Sequence, residues 1–332
     1  MGLALIVHGG AGAMAPERYA AAREGCRDAT MAGWRVLLAG GSATEAVQAA
    51  IMALEDNPGF NSGTGAVLTA DGRAQLDAGV MDGETLEVGA VAGVERIKNP
   101  IALARLVMAS PHVLLIGAGA EQFAVESGMA LCDPRELITQ AQHARWQRGY
   151  RDGDDAIVDP LVAFTPEPAP APNGNGHGKS QRAKARVDGD PIHSDAHKHG
   201  TVGAVAVDAE GRVAAGASTG GIGAKYPGRV GDTPIVGAGY CAENGLGGVS
   251  STGHGEDFIR LTLARRALDY IAGGMSAQAA ASAAIRLLGE RVHGAGGLIL
   301  LDGAGRVGYA RNTTTMAHAF MLEGMPEPFA GV

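Results

Sequence analysis

The residue with the clearest potential for covalent chemistry is Thr201, which follows a long polar stretch and precedes an apolar run from Val202 to Val207. Cleavage between Gly200 and Thr201 would give Thr201 a free α-amine beside its own hydroxyl. One residue would then supply both a nucleophile and a general base. A β-strand that begins after a loop explains the same pattern, because threonine favours strands. The local sequence leaves both interpretations open.

Two charged residues lie three positions apart in a glycine-rich stretch from Ser218 to Pro234. Arg229 could grip an α-carboxylate through its guanidinium, and Asp232 could accept an α-ammonium, so the pair suits a zwitterionic amino acid. A solvated surface ion pair is the alternative.

Thr252 and Gly253 stand directly before a predicted helix. A hydroxyl and a backbone N–H side by side are suited to stabilising an oxyanion. An ordinary helix cap would use the same residue types, so this alternative stays open as well.

The segment from Glu55 to Gly65 is rich in Asn, Pro and Gly and is predicted to be a loop. Its backbone carbonyls could bind a hard cation, although a plain connection has the same composition. A second glycine motif, Gly117-Ala118-Gly119, lacks the third glycine and the acidic ribose ligand of a dinucleotide site, and therefore indicates a helix start.

Residues 165–199 contain much Pro, Gly, Asn and Lys and almost no large apolar side chain, which predicts a flexible linker. His193, His197 and His199 with Asp195 could bind Zn²⁺ there, but we expect only adventitious binding because a mobile tract does not preorganise ligands.

Three predicted hairpins turn on Asp and Gly, which favours antiparallel sheets covered by helices on the outside. The predicted strands are Leu3–Val7, Ala66–Thr69, Arg73–Val80, Leu86–Val94, Val113–Ile116, Thr201–Val207, Arg212–Ala217, Leu298–Leu301 and Arg306–Ala310. The predicted helices are Glu17–Ala39, Ser42–Leu54, Ile101–Met108, Glu121–Ser127, Pro134–Gln147, Glu256–Ala272 and Ser276–Arg291.

The composition narrows the functional class. The 332 residues are 46% hydrophobic but only 4% aromatic, with 52 glycines, so small residues must do most of the packing. A net charge of −8 argues against nucleic acid or an acidic membrane as the main partner. Three irregularly spaced cysteines and a start without a basic signal region predict reduced thiols and a cytoplasmic protein.

Several motifs together resemble one known family. HGTVGAVAVD, STGGIGAKYPGRVGD and STGHGE, with HGGAG, LEDNPGFNSGTGAVLTADG and LDAGVMDGETLEVGAVAGV in the first half, resemble the plant-type asparaginases and isoaspartyl peptidases. These enzymes are threonine N-terminal-nucleophile hydrolases. The resemblance covers nearly the whole chain outside the linker.

The resemblance implies an αββα sandwich, a single domain over residues 1–332 and autoproteolysis between Gly200 and Thr201. The products would be an α subunit, 1–200, and a β subunit, 201–332, which pair as (αβ)₂. Thr201 matches the nucleophile, and Thr219 matches the threonine that supports it. Arg229 and Asp232 match the substrate clamp, Thr252 and Gly253 the oxyanion hole, and Asn61 an active-site asparagine. No catalytic cofactor is expected; a structural Na⁺ would be held mainly by backbone carbonyls among Leu54, Glu55, Asn57, Phe60, Ser62 and Thr64.

Hydrolysis of asparagine and of β-aspartyl dipeptides to aspartate is therefore the expected activity. A glycosylasparaginase-like amidase is the enzymatic alternative, but the lysosomal type is disfavoured because its signal peptide and disulfide pattern are missing. A threonine aspartase is disfavoured because its Asp-Thr context is not present. A non-catalytic amino-acid or nucleotide-binding module would rest only on Gly117-Ala118-Gly119.

Overall fold

A computed structural model describes residues 2–149 and 200–332. The predicted linker and its histidines lie outside these residues. Strand β1, Ala4–Gly12, shows how the core is organised. Leu5 and Val7 belong to one apolar cluster and Ala4 and Ile6 to a second, on opposite faces of the strand. Such a strand reads as a continuous apolar run because neither face meets water.

The strands form two sheets. An eight-stranded sheet has the order β12-β11-β1-β5-β6-β2-β3-β4, and all neighbours are antiparallel except β3 and β4. A four-stranded antiparallel sheet has the order β10-β9-β8-β7. The remaining strands are β2 (Leu76–Asp82), β3 (Val88–Val94), β4 (Leu114–Ile116), β5 (Val202–Val207), β6 (Val213–Thr219), β7 (Tyr240–Glu243), β8 (Gly247–Gly253), β9 (Gly296–Asp302), β10 (Val307–Arg311), β11 (Thr315–Leu322) and β12 (Phe329–Gly331).

Helices flank both sheets. In the larger sheet, α1 contacts β11, α2 contacts β5 and β6, and α3 contacts β2 and β3; in the smaller sheet, α7 contacts β8, and α8 contacts β9 and β10. The α-helices are α1 (Tyr19–Leu38), α2 (Ala43–Glu55), α3 (Pro100–Met108), α4 (Gly117–Glu126), α5 (Gln140–Gln147), α6 (Gly255–Leu261), α7 (Leu263–Ala272) and α8 (Ala277–Val292). The predicted capping box is confirmed, with Ser42 accepting from the Glu45 amide at the start of α2.

The two sheets also contact each other, through β5 and β6 against β8 and through β1 against β9. Glycines make this approach possible. A Cβ at Gly248 would lie 2.6 Å from Val205 Cγ1, and a Cβ at Gly203 would overlap Ser250 Oγ. The prediction that small residues pack the core is confirmed at this junction.

Two of the three predicted hairpins are confirmed, β5–β6 and β9–β10. The first is wrong in part. The turn around Gly72 forms, but only the isolated pair Leu68–Ala74 joins its arms, and β2 pairs with β3 and β6 instead. Residues 76–81 of β2 are all buried, so burial within the large sheet outweighs the local turn.

Other boundaries differ because of particular backbone angles. The predicted helix Glu256–Ala272 is two helices, since Thr262 has a left-handed φ of 49°. The predicted strand from Leu86 begins at Val88, because Leu86 has φ 62°. The predicted helix Pro134–Gln147 is a 3₁₀ turn, Pro134–Leu137, followed by α5, which Thr139 caps.

Among the described residues, no helix is long and apolar enough to cross a membrane.

Gly89 offers a test of how closely β3 packs on α3. A Cβ there would overlap the Ala104 carbonyl oxygen and the Met108 amide nitrogen, which are backbone atoms that cannot rotate away. We expect Gly89→Ala to lower the free energy of unfolding by about 1–3 kcal/mol or more. Gly119→Ala is the control, because its Cβ would meet nothing within 4 Å. Equal urea midpoints for the two variants would contradict this packing.

Candidate active site

Thr201 and Thr219 lie opposite each other at the ends of two central strands. Val202 pairs with Ser218 across β5 and β6, so the preceding and following residues face each other. The Thr201 hydroxyl donates to Thr219 Oγ1 at 3.2 Å, and the Gly221 N–H donates to the same oxygen at 2.9 Å. Both threonines are buried, with Thr201 5% exposed. The alternative interpretation, a strand that begins at this point, also describes the local structure correctly, because β5 begins at Val202.

Asn61 ties the first half of the chain to these threonines. Its side-chain amide donates to the Gly221 carbonyl at 2.7 Å and accepts from the Val67 N–H at 2.8 Å. Its Cβ also occupies the space that a side chain at Gly200 would need. Glycine before Thr201 is thus a packing requirement at this junction.

Arg229 is held in place by Glu256 at the start of α6. Its Nε donates to Glu256 Oε1 at 2.9 Å and its Nη2 to Oε2 at 2.6 Å, which is a bidentate pair. Burial tends to raise the pKa of Glu256, but the hydrogen bonds and charge of Arg229 hold it at about 2. Sequence reasoning did not single out Glu256, although it lies in the STGHGE motif.

Asp232 is a buried carboxyl group close to Arg229. It is 3% exposed, and its Oδ2 has no hydrogen-bond partner among the described residues. Burial raises the pKa of Asp232 to about 7, against the opposing effect of Arg229. An unpaired carboxylate is costly to bury, and a cationic ligand group would remove that cost.

Thr252 reaches the same region from the smaller sheet. Gly248 faces Val205, and Ser250 faces Gly203. Moving two residues forward along β8 therefore corresponds to moving two residues back along β5. Continuing this alternation brings Thr252 towards the end of β5 where Thr201 lies. The Ala11 N–H donates to Thr252 Oγ1 at 3.2 Å. Thr252 and Gly253 are the last residues of β8, and His254, not Thr252, is the residue before α6. The helix-cap alternative is therefore wrong for Thr252.

His8 is a buried neighbour that sequence reasoning missed. Its Nε2 lies 3.0 Å from Ser250 Oγ, and its strand pairs with β5 at Gly203. Burial lowers the pKa of His8 to about 3, and the nearby Thr201 backbone acts in the opposite direction. The ring is therefore neutral at ordinary pH. The only available signal was its place between a strand and the HGGAG glycines.

A cavity of about 60 Å³ borders Gly200 and Asn61. It is also lined by the glycine-rich end of β1, from Gly9 to Gly12. A space of this size holds one or two water molecules. It adjoins the Gly200 side of the junction, while Arg229 and Asp232 are not among its lining residues.

The six carbonyls of the predicted Na⁺ loop fall into two groups. Those of Leu54, Glu55 and Asn57 accept the amides of Asn57, Thr64 and Phe60 at 3.3, 2.8 and 3.1 Å. Within the described chain, no backbone hydrogen bond ends on the carbonyls of Phe60, Ser62 or Thr64. These three oxygens are the candidates for a hard cation in this loop.

Comparisons with known proteins show which family the chain belongs to. The model of the asparaginase family matches residues 1–327, so the chain belongs to that family. A plant-type L-asparaginase of Pyrococcus abyssi is 45% identical over 99% of this chain and 100% of its own. The isoaspartyl peptidase/L-asparaginase of Bos taurus is 38% identical over 96% of this chain and 93% of its own. The resemblance is confirmed, the chain is a hydrolase, and the binding-module alternative loses its support.

Asp232 gives a pH-dependent stability prediction. Because its folded pKa, about 7, is above the ordinary value of 3.8, the proton is held more tightly in the folded state. The resulting destabilisation is absent below the ordinary pKa, grows as the pH rises between the two values, and is complete above about 7. We expect Asp232→Asn to raise the urea midpoint at pH 8 and the gain to shrink towards pH 4. A gain that is the same at both pH values would show that the charge of Asp232 is not its cause.

Proposed function

We propose that this chain is an autoprocessed N-terminal-threonine amidohydrolase that converts asparagine and β-aspartyl dipeptides to aspartate through an acyl-enzyme on Thr201. The observation that carries the proposal is the Thr201–Thr219 hydroxyl pair directly behind the tightly packed Gly200. The printed names of the relatives, plant-type L-asparaginase and isoaspartyl peptidase/L-asparaginase, support the two substrate classes.

We also propose that the flanked sheets form a four-layer αββα sandwich and that one domain divides into an α subunit, 1–200, and a β subunit, 201–332. Helix–sheet and sheet–sheet contacts support the layering. Association as (αβ)₂ and a cytoplasmic location belong to the same proposal. Free thiols at Cys26, Cys132 and Cys241 are compatible with that location.

Maturation would begin with attack of the Thr201 hydroxyl on the Gly200 carbonyl. The peptide bond breaks as an ester forms, and the Thr201 nitrogen takes a proton to become the amine. Water then hydrolyses the ester and releases the carboxyl end of Gly200. The adjoining cavity is large enough for that water molecule. Thr219 supports the attack because its oxygen receives the hydrogen bond of the Thr201 hydroxyl.

In turnover, the free α-amine of Thr201 would accept the hydroxyl proton. The reference pKa of an α-amine is about 7.7–8.0, so a useful neutral fraction is present near pH 7. Attack on the side-chain carbonyl of asparagine expels ammonia, and attack on a β-aspartyl peptide expels an amino acid. Water then hydrolyses the acyl-enzyme ester, which releases aspartate and restores the Thr201 hydroxyl. Thr252 and Gly253 would stabilise the oxyanion. Asn61 would fix the position of the loop at Gly221 through its hydrogen bond to the Gly221 carbonyl.

Arg229 and Asp232 would bind the substrate's α-carboxylate and α-ammonium. Glu256 occupies Nε and one hydrogen of Nη2, which leaves Nη1 for the carboxylate. Gly221 and Gly231 keep that side open, because a Cβ at either would come within 3.4 and 2.8 Å of Nη1. The substrate ammonium would provide the missing partner of Asp232 Oδ2.

The decisive experiment compares intact masses of the wild type and Thr201→Ala. We expect fragments 1–200 and 201–332 from the wild type and one uncut chain from the variant, because only the hydroxyl can begin the acyl shift. The wild type should release ammonia from asparagine and leucine from β-aspartyl-leucine. Thr85→Ala, at an exposed turn, is the matched control and should be cut normally. An uncut, fully active wild type would refute the proposal, and preference for a glycosylated asparagine would favour the amidase alternative.

We further propose that the loop from Leu54 to Thr64 holds a structural Na⁺, mainly through the carbonyls of Phe60, Ser62 and Thr64, whose oxygens accept no backbone bond in the described chain. Replacing NaCl by tetramethylammonium chloride at equal ionic strength should lower the thermal midpoint, because bound cation stabilises the folded state. The midpoint should return on adding millimolar NaCl back. Equal midpoints in the two salts would rule out such a site.

A further inference from the structure

A buried ion pair lies outside the residues discussed so far. Lys225 is 1% exposed and Asp77 is fully buried, with Nζ and Oδ2 3.9 Å apart. Lys225 Nζ donates to the Gln75 carbonyl at 2.8 Å, and Asp77 Oδ1 accepts from the Gly93 N–H at 2.8 Å. Burial lowers the pKa of Lys225, while the charge of Asp77 raises it. Removing two charges from water costs free energy, and apolar residues in place of a buried ion pair often give equal or greater stability.

The pair lies directly beside the threonines. Asp77 pairs with Thr219 across β2 and β6. Lys225 lies against Gly221, where a Cβ would be 2.9 Å from Lys225 Cδ and 3.0 Å from Nζ. Gly221 has a φ of 82°, so it is held in a left-handed conformation. Its N–H is the group that donates to Thr219 Oγ1.

The backbone on both sides of Lys225 is also fixed. The Ala224 N–H donates to the Leu68 carbonyl at 2.8 Å, and the Ala70 N–H donates to the Lys225 carbonyl at 2.9 Å. With its backbone tied to residues 68–70, the Lys225 side chain must extend inward beneath Gly221. We call the chain from Thr219 to Lys225 the arch. Backbone hydrogen bonds fix its outer end, at Ala224 and Lys225, and the charged Lys225 side chain packs against Gly221.

We propose that the Lys225–Asp77 pair positions the inner end of the arch, at Thr219 and Gly221, and through it the hydroxyl of Thr201, for the hydrolytic reaction. Lys225 is a positioning residue, since it contacts Gly221 and not the reacting atoms. The inference rests on the proposed function of Thr201. Arg229 also borders Gly221, and its charge lowers the pKa of Lys225, but its guanidinium is held by two hydrogen bonds to Glu256. Loss of Lys225 should therefore affect kcat more than KM.

The test uses Lys225→Met, which keeps the stem and removes the charge, and the double variant Asp77→Asn/Lys225→Met, which leaves no buried charge unpaired. Lys98→Met is the matched control, because Lys98 forms an ion pair with Asp56 at 3.2 Å on the surface. We measure kcat and KM for asparagine, and hydrogen exchange of the peptide that contains Gly221. Misplacement of a reacting group by about 1 Å can cost up to about 100-fold, so we expect kcat to fall between about tenfold and 100-fold. KM should stay within about threefold, and exchange at Gly221 should speed up.

A folded double variant with the kcat and exchange rate of Lys98→Met would overturn the proposal. The double variant decides the matter if Lys225→Met does not fold. Faster exchange with unchanged kcat would also overturn it, because the arch would then not control the reaction. A wild type that hydrolyses neither asparagine nor β-aspartyl-leucine would refute the proposed function instead, while the exchange at Gly221 would still report whether the pair holds the arch.

Discussion

The close approach of the two sheets is the constraint on which the site depends. Gly203 and Gly248 remove the side chains that would otherwise separate β5 from β8, and Ser250 and Val205 fill the space. Because side chains of one strand pack directly on glycine backbone of the other, Thr252 from the smaller sheet can share a region with Thr201 and Thr219 from the larger one. A chain with 52 glycines and few aromatic residues is suited to such contacts. Larger side chains at these two positions would keep the two halves of the site apart.

The proposed substrate clamp of Arg229 and Asp232 carries a cost in the stability of the folded protein. Arg229 is already paired with Glu256, so its guanidinium is oriented before any ligand arrives. Asp232 is not compensated in the same way, since its Oδ2 lacks a partner in the described chain. Preorganised binding groups commonly carry such strain or desolvation. This contrast fits a site in which the protein itself holds the cationic group, Arg229, and the ligand would provide the partner of the anionic group, Asp232.

Much of this arrangement was predictable from residue types and spacing. The Asp-Gly turns identified β5–β6 and β9–β10, and Ser42 with Glu45 identified the start of α2. The strands β7, β8, β11 and β12 were missed. Strand β8 is made of Gly, Val, Ser and Thr, with no alternation of apolar and polar residues, because both of its faces are buried. Its short, small side chains resemble a loop until the opposing sheet is known.

The same limit applies to the site. Sequence motifs indicated Thr201, Thr219, Arg229 and Asp232 but could not reveal that Glu256 holds Arg229 or that His8 lies beside the Thr201 backbone. These contacts join residues from distant parts of the chain. A histidine or glutamate inside a glycine-rich motif has no local feature that distinguishes a buried partner from a solvated side chain.

The position of Thr201 in the large sheet explains how a chain break there could leave the fold intact. Strand β5 lies between β1 and β6, and its pairing begins at Val202, the residue after the junction. A cut before Thr201 would remove no paired residue from the β1–β5 or the β5–β6 pairing. The new amino terminus would remain fixed by the strand that follows it and by the hydroxyl contact with Thr219. A nucleophile in a flexible loop would lose its orientation on cleavage, whereas one at the start of a central strand keeps it.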